Sequence, residues 1–313
     1  MPKPNSLQTG EFKTFPEFSK LTFNDRKRYE ALIAEYPPIS NISFAGLKLW
    51  WDQLSGCAVA RLNGNLVISY WFPGDEKRSG LSLIGTNKID ESMQTIFDYL
   101  REKGDPARLV HVPEFVLEKI SQPDLYSCRG ERGCDEYIYE VAKFYPMNHT
   151  TAYRRRRIRK FLAAVNEDRI IIRSLDLSKA ENQQLLLDCQ WPRRGINSIV
   201  GAFDECWEDT IRYADLLGLE NVCIYVDGEL AAYILYVQPA DRRYIVLRHV
   251  KVDYRIPRIL DYVIYRFAGW LHERGIAYVN MDSDLGLPFL RMFMLALGPS
   301  NYFRMYTIMP TLG

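Results

Sequence analysis

The residues with the clearest chemical potential form a cationic run near the middle of the chain. Six of the seven residues from Arg154 to Lys160 are arginine or lysine, and the planar fork of arginine suits two-point contacts with phosphate or carboxylate groups. The apolar spacing that starts at Ile158 predicts a helix, on which Arg154 continues the apolar stripe and Arg155 flanks it. Two interpretations stay open: the helix N-terminus binds an anion, or the run is a solvated face paired with nearby acids.

Polar side chains also gather where a strand predicted over 276–281 gives way to a helix. Asn280, Asp282 and Asp284 lie in this segment, and Arg291 follows in the helix. The carboxyl end of a strand is the usual ligand crevice of α/β sheets. Asp284 therefore either caps the helix or, with Asp282, orients a substrate amine or a catalytic group.

A third segment leads from a strand over 247–253 through the turn 254–258 into a long helix. In GNAT acetyltransferases the corresponding turn carries glycines whose backbone amides cradle the pyrophosphate of coenzyme A, but this turn contains no glycine. His249 lies in the strand, where a lone histidine is more often a packed residue than a general base. The sequence also has no Gly-x-Ser-x-Gly elbow and no Walker or Rossmann glycine pattern, so nucleophilic catalysis is not indicated.

The elements that must position these residues occur in a pattern that repeats. An Asn-Gly pair at 63–64 and an Asp-Gly pair at 227–228 each lie between two apolar runs, which predicts two β-hairpins 164 residues apart. A predicted helix and a predicted strand follow each hairpin: helices over 89–103 and 258–274, strands over 107–112 and 276–281. Two unrelated α/β domains would also give this order, but a duplicated strand–strand–helix–strand unit favours one kind of transferase fold.

The remaining elements suggest where the chain divides. Further helices are predicted over 25–35, 40–51, 150–165, 176–188, 199–217 and 288–297, and further strands over 12–15, 136–142 and 170–175. A chain of 313 residues is long for one core and sufficient for two of about 150 residues each. We expect a polar, mobile stretch at the start, a first domain over 1–147 and a second over 148–313.

Composition sets broad limits on function. The net charge is +1, so a nucleic-acid or membrane partner would need a local charged patch. The N-terminus lacks the pattern of a signal peptide, and charged residues interrupt every apolar run before it could span a bilayer. We therefore expect a cytoplasmic protein with reduced cysteines. Cys128 and Cys134 are close enough in sequence to suggest a pair, but nothing completes a metal site, so no metal is expected.

Short motifs along the chain resemble those of a known family. They are, in order, Phe12-Lys13, Leu21-Thr22, Asp25, Tyr36-Pro37, Ser40, Ser43-Phe44, Trp50, Tyr137-Ile138-Tyr139, Tyr153 with the run to Lys160-Phe161, Asp227-Gly228, Asn280, Asp284-Leu285-Gly286, Leu290-Arg291, Pro299 and Tyr306. Their order and spacing resemble the soluble proteins related to the C-terminal catalytic domain of phosphatidylglycerol lysyltransferases. That family is similar to tandem GNAT-like domains and to Fem-type aminoacyl-tRNA-dependent ligases.

The resemblance implies an α/β (α+β) fold of two tandem GNAT-like, or acyl-CoA N-acyltransferase-like, domains. Each would be a mixed twisted sheet flanked by helices, with the transfer site in the second domain. In the lysyltransferases the donor is aminoacyl-tRNA and the acceptor is a phosphatidylglycerol hydroxyl. Two positions depart from the family pattern, since Val250 replaces an acidic residue and Met294 a lysine. Another donor, another acceptor or a loss of catalysis all stay open.

The favoured function is an acyl or aminoacyl transferase, in which an acceptor amine or hydroxyl attacks a bound ester or thioester. The expected catalytic residues are Asp284, Lys251 and Tyr306, and the expected donor- and substrate-binding residues are Arg154, Arg155, Arg157, Asn280, Asp282 and Arg291. No cofactor is certain; aminoacyl-tRNA or acetyl-CoA would be the donor. The partners would be tRNA and a phospholipid headgroup or a small-molecule or peptide amine. The alternatives are a coenzyme A-dependent N-acetyltransferase and a non-catalytic module that binds tRNA or another phosphorylated ligand.

Overall fold

A computed structural model describes residues 11–51, 57–70, 80–189, 191 and 207–311. Part of the helix predicted over 199–217 lies outside these residues; the part inside is helical over 207–212 and again at Ala214–Leu217. The first ten residues, expected to be mobile, and Cys206 also lie outside. No helix among the described residues is both long and apolar enough to cross a membrane.

Strands and helices are mixed along the whole of the described chain. The strands are β1 (Ser19–Lys20), β2 (Cys57–Leu62), β3 (Asn65–Tyr70), β4 (Gly80–Ile84), β5 (Leu109–Pro113), β6 (Tyr126–Gly130), β7 (Glu136–Glu140), β8 (Ile170–Arg173), β9 (Leu219–Val226), β10 (Glu229–Val237), β11 (Tyr244–Val252), β12 (Tyr278–Ser283), β13 (Asn301–Phe303) and β14 (Met305–Pro310). The helices are α1 (Arg26–Ile33), α2 (Phe44–Gly46, continued by a π turn at Leu47–Trp51), α3 (Ile89–Lys103), α4 (Glu114–Leu117), α5 (Ala152–Ala164), α6 (Ala180–Leu187), α7 (Ala214–Leu217), α8 (Ile259–His272) and α9 (Pro288–Leu297).

The described strands form two seven-stranded sheets whose strands are arranged in the same pattern. One sheet runs β1-β2-β3-β4-β5-β14-β6, and the other, read in the same direction, runs β8-β9-β10-β11-β12-β7-β13. In each sheet one neighbouring pair is parallel, β4 with β5 and β11 with β12, and the other pairs are antiparallel. The predicted fold class is confirmed: two mixed sheets flanked by helices, each with a GNAT-like arrangement.

The chain forms two compact units, and neither is a continuous stretch. The first contains residues 1–22, 54–131 and 305–313, and the second contains 23–53 and 132–304. Strand β14, from the C-terminal end of the chain, is thus part of the first sheet, and β7, which precedes residue 147, is part of the second. The units therefore do not follow the single division predicted between residues 147 and 148.

Both predicted hairpins are confirmed. Leu62 pairs with Asn65 across the first turn, and Val226 pairs with Glu229 across the second. The two central residues of each turn have positive φ angles, 51° and 84° at 63–64 and 55° and 83° at 227–228. These are the angles that a two-residue turn between twisted strands requires, and they explain why Asn-Gly and Asp-Gly are found there.

The helices predicted over 89–103 and 288–297 have the predicted bounds, while most other elements differ by a few residues. The strand predicted over 12–15 is wrong, since only an isolated bridge at Thr14 lies there. The helix predicted from Asp176 begins at Ala180, because Asp176 Oδ1 accepts hydrogen bonds from the backbone N–H and hydroxyl of Ser178 in a local turn. The strand predicted over 276–281 lies at Tyr278–Ser283.

Three helices of the second unit cover one face of its sheet. Helices α5, α8 and α9 contribute buried side chains to a single apolar cluster, including Ile158, Phe161, Tyr262, Met294 and Leu297. The rings of Phe161 and Tyr262 stack with their centroids 4.5 Å apart. The apolar stripe predicted for the basic helix is therefore confirmed at Ile158 and Phe161, and these residues pack the helix against α8 and the sheet.

Candidate active site

The parallel strands β11 and β12 separate part-way along their length. Residues Tyr244–Val246 pair with Tyr278–Asn280, and β11 then continues to Val252 beside β10 alone. The register of β12 against β7 also shifts after Asn280, where Asp282 adopts a φ angle of 66°. A positive φ is costly for a non-glycine residue and is concentrated at functional sites. The sheet therefore opens at the carboxyl end of β12, the usual ligand crevice.

A buried arginine lies in this opening. The side chain of Arg248 on β11 is only 1 % exposed, and its guanidinium donates to Asp282 Oδ2 at 3.3 Å and to Ser40 Oγ. The Ser40 hydroxyl in turn donates to Asp282 Oδ2 at 2.7 Å. Burial of a charged group is costly unless it is paired. Arg248 and Asp282 therefore hold each other in the opening, and Asp282, 24 % exposed, is the member that solvent reaches.

A second carboxyl group, on Glu136 at the start of β7, lies below this pair. Its Oε2 accepts hydrogen bonds from Ser40 N at 2.7 Å and Asn280 Nδ2 at 2.5 Å, and its Oε1 accepts one from Asn41 N at 2.9 Å. Burial, and then the nearby Asp282 carboxylate, raise the pKa of Glu136 well above its ordinary value despite these donors. Burial beside Asp282 therefore disfavours a second negative charge in this cluster.

The loop that supplies Ser40 is held by its own short-range contacts. Ser43 N and Ser43 Oγ both donate to Ser40 O, at 3.1 Å and 2.7 Å, and Ser43 Oγ accepts from Gly46 N at the start of α2. A Cβ atom on Gly46 would lie 2.1 Å from Ser40 O, so only glycine fits at this position. Tyr29 anchors the same loop by donating to Ile42 O at 2.8 Å.

Asp284 and Arg291, both predicted site residues, form a separate ion pair in which Asp284 is fully buried and Arg291 is 33 % exposed. Arg291 donates to Asp284 Oδ2 and Oδ1 at 2.6 Å and 3.0 Å, Tyr137 donates to Oδ2 at 2.6 Å, and Gly286 N donates to Oδ1 at 2.8 Å. Burial opposes ionisation of Asp284, but the donors outweigh it and hold its pKa below the ordinary value. Burial and the bond to Asp284 raise the pKa of Tyr137 to about 12. This arrangement fixes α9 to β7 and leaves Asp284 without an obvious free lone pair for substrate.

The three arginines predicted to bind donor phosphate contact their own chain. Arg154 donates to Ala296 O at 3.2 Å, and Arg155 donates to Asn148 O and Thr150 O at 3.1 Å and 2.6 Å. Arg157 forms an ion pair with Asp261 on α8, at 2.5 Å. Burial lowers the pKa of Arg154. Their predicted phosphate contacts stay a prediction.

The polar residues around the opening, Ser40, Glu136, Arg248, Asn280 and Asp282, are called the Arg248 cluster. The other two predicted catalytic residues are not part of it. Lys251 lies on β11 with its Nζ 3.6 Å from the centre of the Trp207 ring, which is a cation–π contact. Tyr306 belongs to β14 in the first unit, where its hydroxyl donates to Glu114 Oε1 at 3.2 Å. Of the predicted residues, the structure brings together Asn280 with Asp282 and Asp284 with Arg291.

The turn between β11 and α8 offers few amides to a phosphate. Arg255 N donates to Asp253 Oδ1, Ile256 N donates to Asp253 O, and Ile259 N donates to Ile256 O. Pro257 has no N–H group. Asp261, in the first turn of α8, is already paired with Arg157. The absence of glycine seen in the sequence thus corresponds to a turn in which Pro257 has no N–H group and the amides of Arg255 and Ile256 are already used.

Burial suppresses thiolate formation at two of the cysteines that the structure describes. Cys57, Cys128, Cys134, Cys189 and Cys223 all carry free thiols. Burial raises the pKa of Cys189 to about 11 and that of Cys223 to about 12, so both stay protonated at neutral pH.

Three residues of the cluster, Ser40, Glu136 and Arg248, were not predicted as site residues. One signal was available in the sequence, because Glu136 directly precedes the apolar residues Tyr137-Ile138-Tyr139 of a predicted strand. A carboxyl group beginning such a strand must be satisfied by partners from elsewhere in the chain. The identity of those partners cannot be obtained from local spacing.

Replacing Glu136 by glutamine should change how stability depends on pH. A raised pKa means that the folded protein keeps a proton that the unfolded chain has released, so the free energy of unfolding falls as pH rises above about 4.5. Glutamine does not titrate, so the Glu136→Gln variant lacks this dependence of stability on pH. We expect the unfolding free energy of the parent protein, relative to Glu136→Gln, to decline between about pH 5 and pH 8 in urea melts. A difference that stays constant over this range would show that Glu136 is ionised throughout.

Replacing Asp284 by alanine should destabilise the protein strongly, because it leaves the donors of Arg291 and Tyr137 without their acceptor. We expect a loss of about 3–5 kcal/mol in the free energy of unfolding, measured by urea denaturation. The matched control is Asp241→Ala, which removes an exposed pair with Arg243 and should cost about 1 kcal/mol or less. Equal losses in the two variants would contradict the structural role of Asp284.

Comparison with solved structures identifies proteins of similar fold over nearly the whole chain. A conserved protein of unknown function from Bacteroides thetaiotaomicron has a TM-score of 0.78 at 18 % identity, covering 94 % of this chain and 99 % of that chain. The structure of L-PGS from Bacillus licheniformis has a TM-score of 0.58 at 14 % identity, covering 96 % and 94 %. The structure of FemX has a TM-score of 0.55 at 9 % identity, covering 92 % and 96 %. At these identities the structures establish a shared fold.

The family is established by the sequence itself. No curated protein sequence matches this chain. The family model described as phosphatidylglycerol lysyltransferase, C-terminal, matches residues 37–300, a range that begins just before Ser40 and includes all of the Arg248 cluster. The chain therefore belongs to the family of the C-terminal domain of phosphatidylglycerol lysyltransferases.

Proposed function

We propose that this protein is an acyltransferase that moves an aminoacyl group from an ester donor to an amine or hydroxyl acceptor. The observation that carries this proposal is the buried guanidinium of Arg248 beside the partly exposed carboxylate of Asp282, in the opening between β11 and β12. Family membership supports the same class of reaction.

The proposed chemistry needs one stabilising charge and one base. The acceptor oxygen or nitrogen attacks the carbonyl carbon of the donor ester, and the carbonyl oxygen becomes negative. Arg248 is positioned to stabilise this oxyanion, since a fixed positive charge in a buried opening acts strongly on developing negative charge. Asp282 takes the proton that the acceptor loses. The bond from carbon to the donor oxygen then breaks, and that oxygen leaves as a hydroxyl after receiving the proton that Asp282 took from the acceptor.

The other members of the cluster are positioning residues. Asn280 donates to Glu136 and accepts from Asp282 N at 2.8 Å, so it fixes the strained backbone of Asp282. Ser40 joins Arg248 to Asp282 through its hydroxyl. Glu136 accepts the N–H groups of Asn280 and Ser40, and its raised pKa disfavours a second negative charge that would compete for Arg248. Rigid support of this kind is what a transfer reaction without a covalent intermediate requires.

The structure favours an aminoacyl ester over acetyl-CoA as donor. The turn at 254–258 uses its own amides and includes Pro257, which makes it a poor cradle for a pyrophosphate. The family description names lysyl transfer to phosphatidylglycerol, and the resemblance implies aminoacyl-tRNA as donor. We therefore propose aminoacyl-tRNA as the donor class and the cytoplasm as the place of reaction. A phospholipid headgroup hydroxyl and a small-molecule or peptide amine are the acceptor classes to test.

Variants at Arg248 and Asp282 should abolish most transfer. With aminoacyl-tRNA as donor and a panel of hydroxyl and amine acceptors, we expect Arg248→Met to lower the transfer rate by about 100- to 1,000-fold. Asp282→Asn should lower it by about 100- to 10,000-fold. The control Arg243→Met removes an exposed arginine paired with Asp241 and should retain the parent rate. Arg248→Lys, which keeps the charge, separates loss of chemistry from loss of folding.

Transfer that survives in folded Arg248→Met would remove the proposed mechanism. Tight binding of aminoacyl-tRNA without transfer to any acceptor by the parent protein would favour the non-catalytic binding module. That alternative is supported by the exposed cations of α5, but it leaves the buried charges of the opening unexplained.

Acetyl-CoA should not stabilise the protein. A ligand at one hundred times its dissociation constant adds about 2.7 kcal/mol to the free energy of unfolding and raises the melting temperature. Because the amides at 255, 256 and 259 are already used, we expect no such rise at millimolar acetyl-CoA in a thermal melt. A clear rise would instead support a coenzyme A-dependent N-acetyltransferase.

A further inference from the structure

Helix α9 turns an apolar face outward. Only one of its ten residues is charged, and that residue, Arg291, is paired with Asp284. Five of the thirteen exposed large hydrophobic side chains of the described residues lie in or just before this helix: Leu285, Phe289, Met292, Phe293 and Leu295, which are 39–67 % exposed. Scattered exposed apolar side chains are ordinary, but a concentration of this kind marks an interaction surface.

Helix α5 presents a cationic face to solvent. Arg156, Arg159 and Lys160 are exposed, and no carboxylate of the described chain forms an ion pair with any of them. Together with Arg155 they line a shallow groove of about 380 Å³ along the helix. These cations do not contribute ion pairs to the described structure and are available to an external anion.

The two faces lie on the same side of the second unit. The inner faces of both helices are buried in one apolar cluster. This cluster includes alternate residues of β9 and β10, such as Val222, Ile224 and Ile234. Alternate residues of a strand lie on the same face of the sheet, so both helices cover that face. The side of each helix away from this cluster therefore points away from the sheet. The helices also touch, because Arg154 donates to Ala296 O near the end of α9.

We infer that this surface, made of the outer faces of α9 and α5, docks the protein on an anionic lipid surface. Phe289, Met292 and Phe293 would enter the boundary between headgroups and acyl chains, as interfacial helices do. Arg156, Arg159 and Lys160 would lie against anionic headgroups, where each basic residue strengthens binding about five-fold. Ten residues are too few to span a bilayer, so the helix would lie in the plane of the interface.

An anionic membrane fits the observations better than other occupants of this surface. RNA would account for the cations of α5, but methionine, leucine and phenylalanine on the neighbouring helix would gain little from a sugar–phosphate backbone. A second copy of the chain would account for the apolar face, but it would bring the cations of two α5 helices towards each other. Only a lipid interface uses both faces. Docking of this kind does not depend on the proposed reaction.

The test is vesicle flotation with the full chain and two vesicle compositions. One is phosphatidylcholine alone, and the other is phosphatidylcholine mixed with anionic phosphatidylserine. We expect the parent protein to float with the anionic vesicles at least about tenfold more strongly than with the neutral ones, and to be released as salt is raised. Phe289→Ser with Met292→Ser, and separately the triple variant Arg156→Glu, Arg159→Glu, Lys160→Glu, should each reduce flotation at least about tenfold.

Each variant has a matched control elsewhere in the same unit. Leu185→Ser with Leu216→Ser removes two exposed apolar side chains from α6 and α7, and Lys27→Glu, Lys179→Glu, Arg242→Glu makes the same change in net charge at exposed sites. Both controls should float like the parent. Thermal melts of all four variants are used to check that each is folded.

Three outcomes would overturn the inference. The first is no flotation of the parent with either vesicle. The second is dimerisation that increases with protein concentration in light scattering, is abolished in the Phe289/Met292 variant, and occurs without vesicle binding. That result would assign the apolar face to a second copy of the chain. The third is RNA binding that needs the α5 cations but not Phe289 or Met292, again without vesicle binding. Equal loss of flotation in the matched controls would likewise contradict a defined docking surface.

Discussion

The structure of the second unit depends on the cost of burying charge where its parallel strands separate. Arg248 is almost completely enclosed, and a guanidinium in that position requires a carboxylate within hydrogen-bonding distance. Asp282 supplies it at the cost of a positive φ angle. Ser40 bridges the two charged groups, and Asn280 and Glu136 form hydrogen bonds with the backbone around them; these three residues come from three different parts of the chain. The opening is therefore held in one shape by polar contacts.

A second ion pair, with a buried carboxylate, separates structural from chemical roles. Asp284 and Asp282 are two residues apart, but Asp284 accepts from three partners and anchors α9, while Asp282 faces the opening. Fixing α9 also holds its apolar outer face in place. The same short segment thus links the proposed reaction site to the proposed docking surface through one strand and one helix.

Local signals in the sequence predicted the elements that depend on local interactions. The hairpins at 63–64 and 227–228 follow from the φ angles that Asn-Gly and Asp-Gly permit, and helices α3 and α9 follow from their periodicity and end signals. The Arg248 cluster could not be predicted in this way. Ser40 is 96 residues from Glu136, 208 from Arg248 and 242 from Asp282, so only the folded chain brings them together. Strand β7 joins the second sheet and β14 joins the first, and both pairings likewise depend on contacts between distant parts of the chain.

The central claim is that the donor carbonyl binds in the opening between β11 and β12. A crystal structure with a non-hydrolysable aminoacyl-adenosine analogue tests it most directly. The account predicts that the carbonyl oxygen of the analogue lies within hydrogen-bonding distance of the Arg248 guanidinium, with Asp282 facing the carbonyl carbon. An analogue bound at the N-terminus of α8, or beside Arg154 with the opening unchanged, would contradict it.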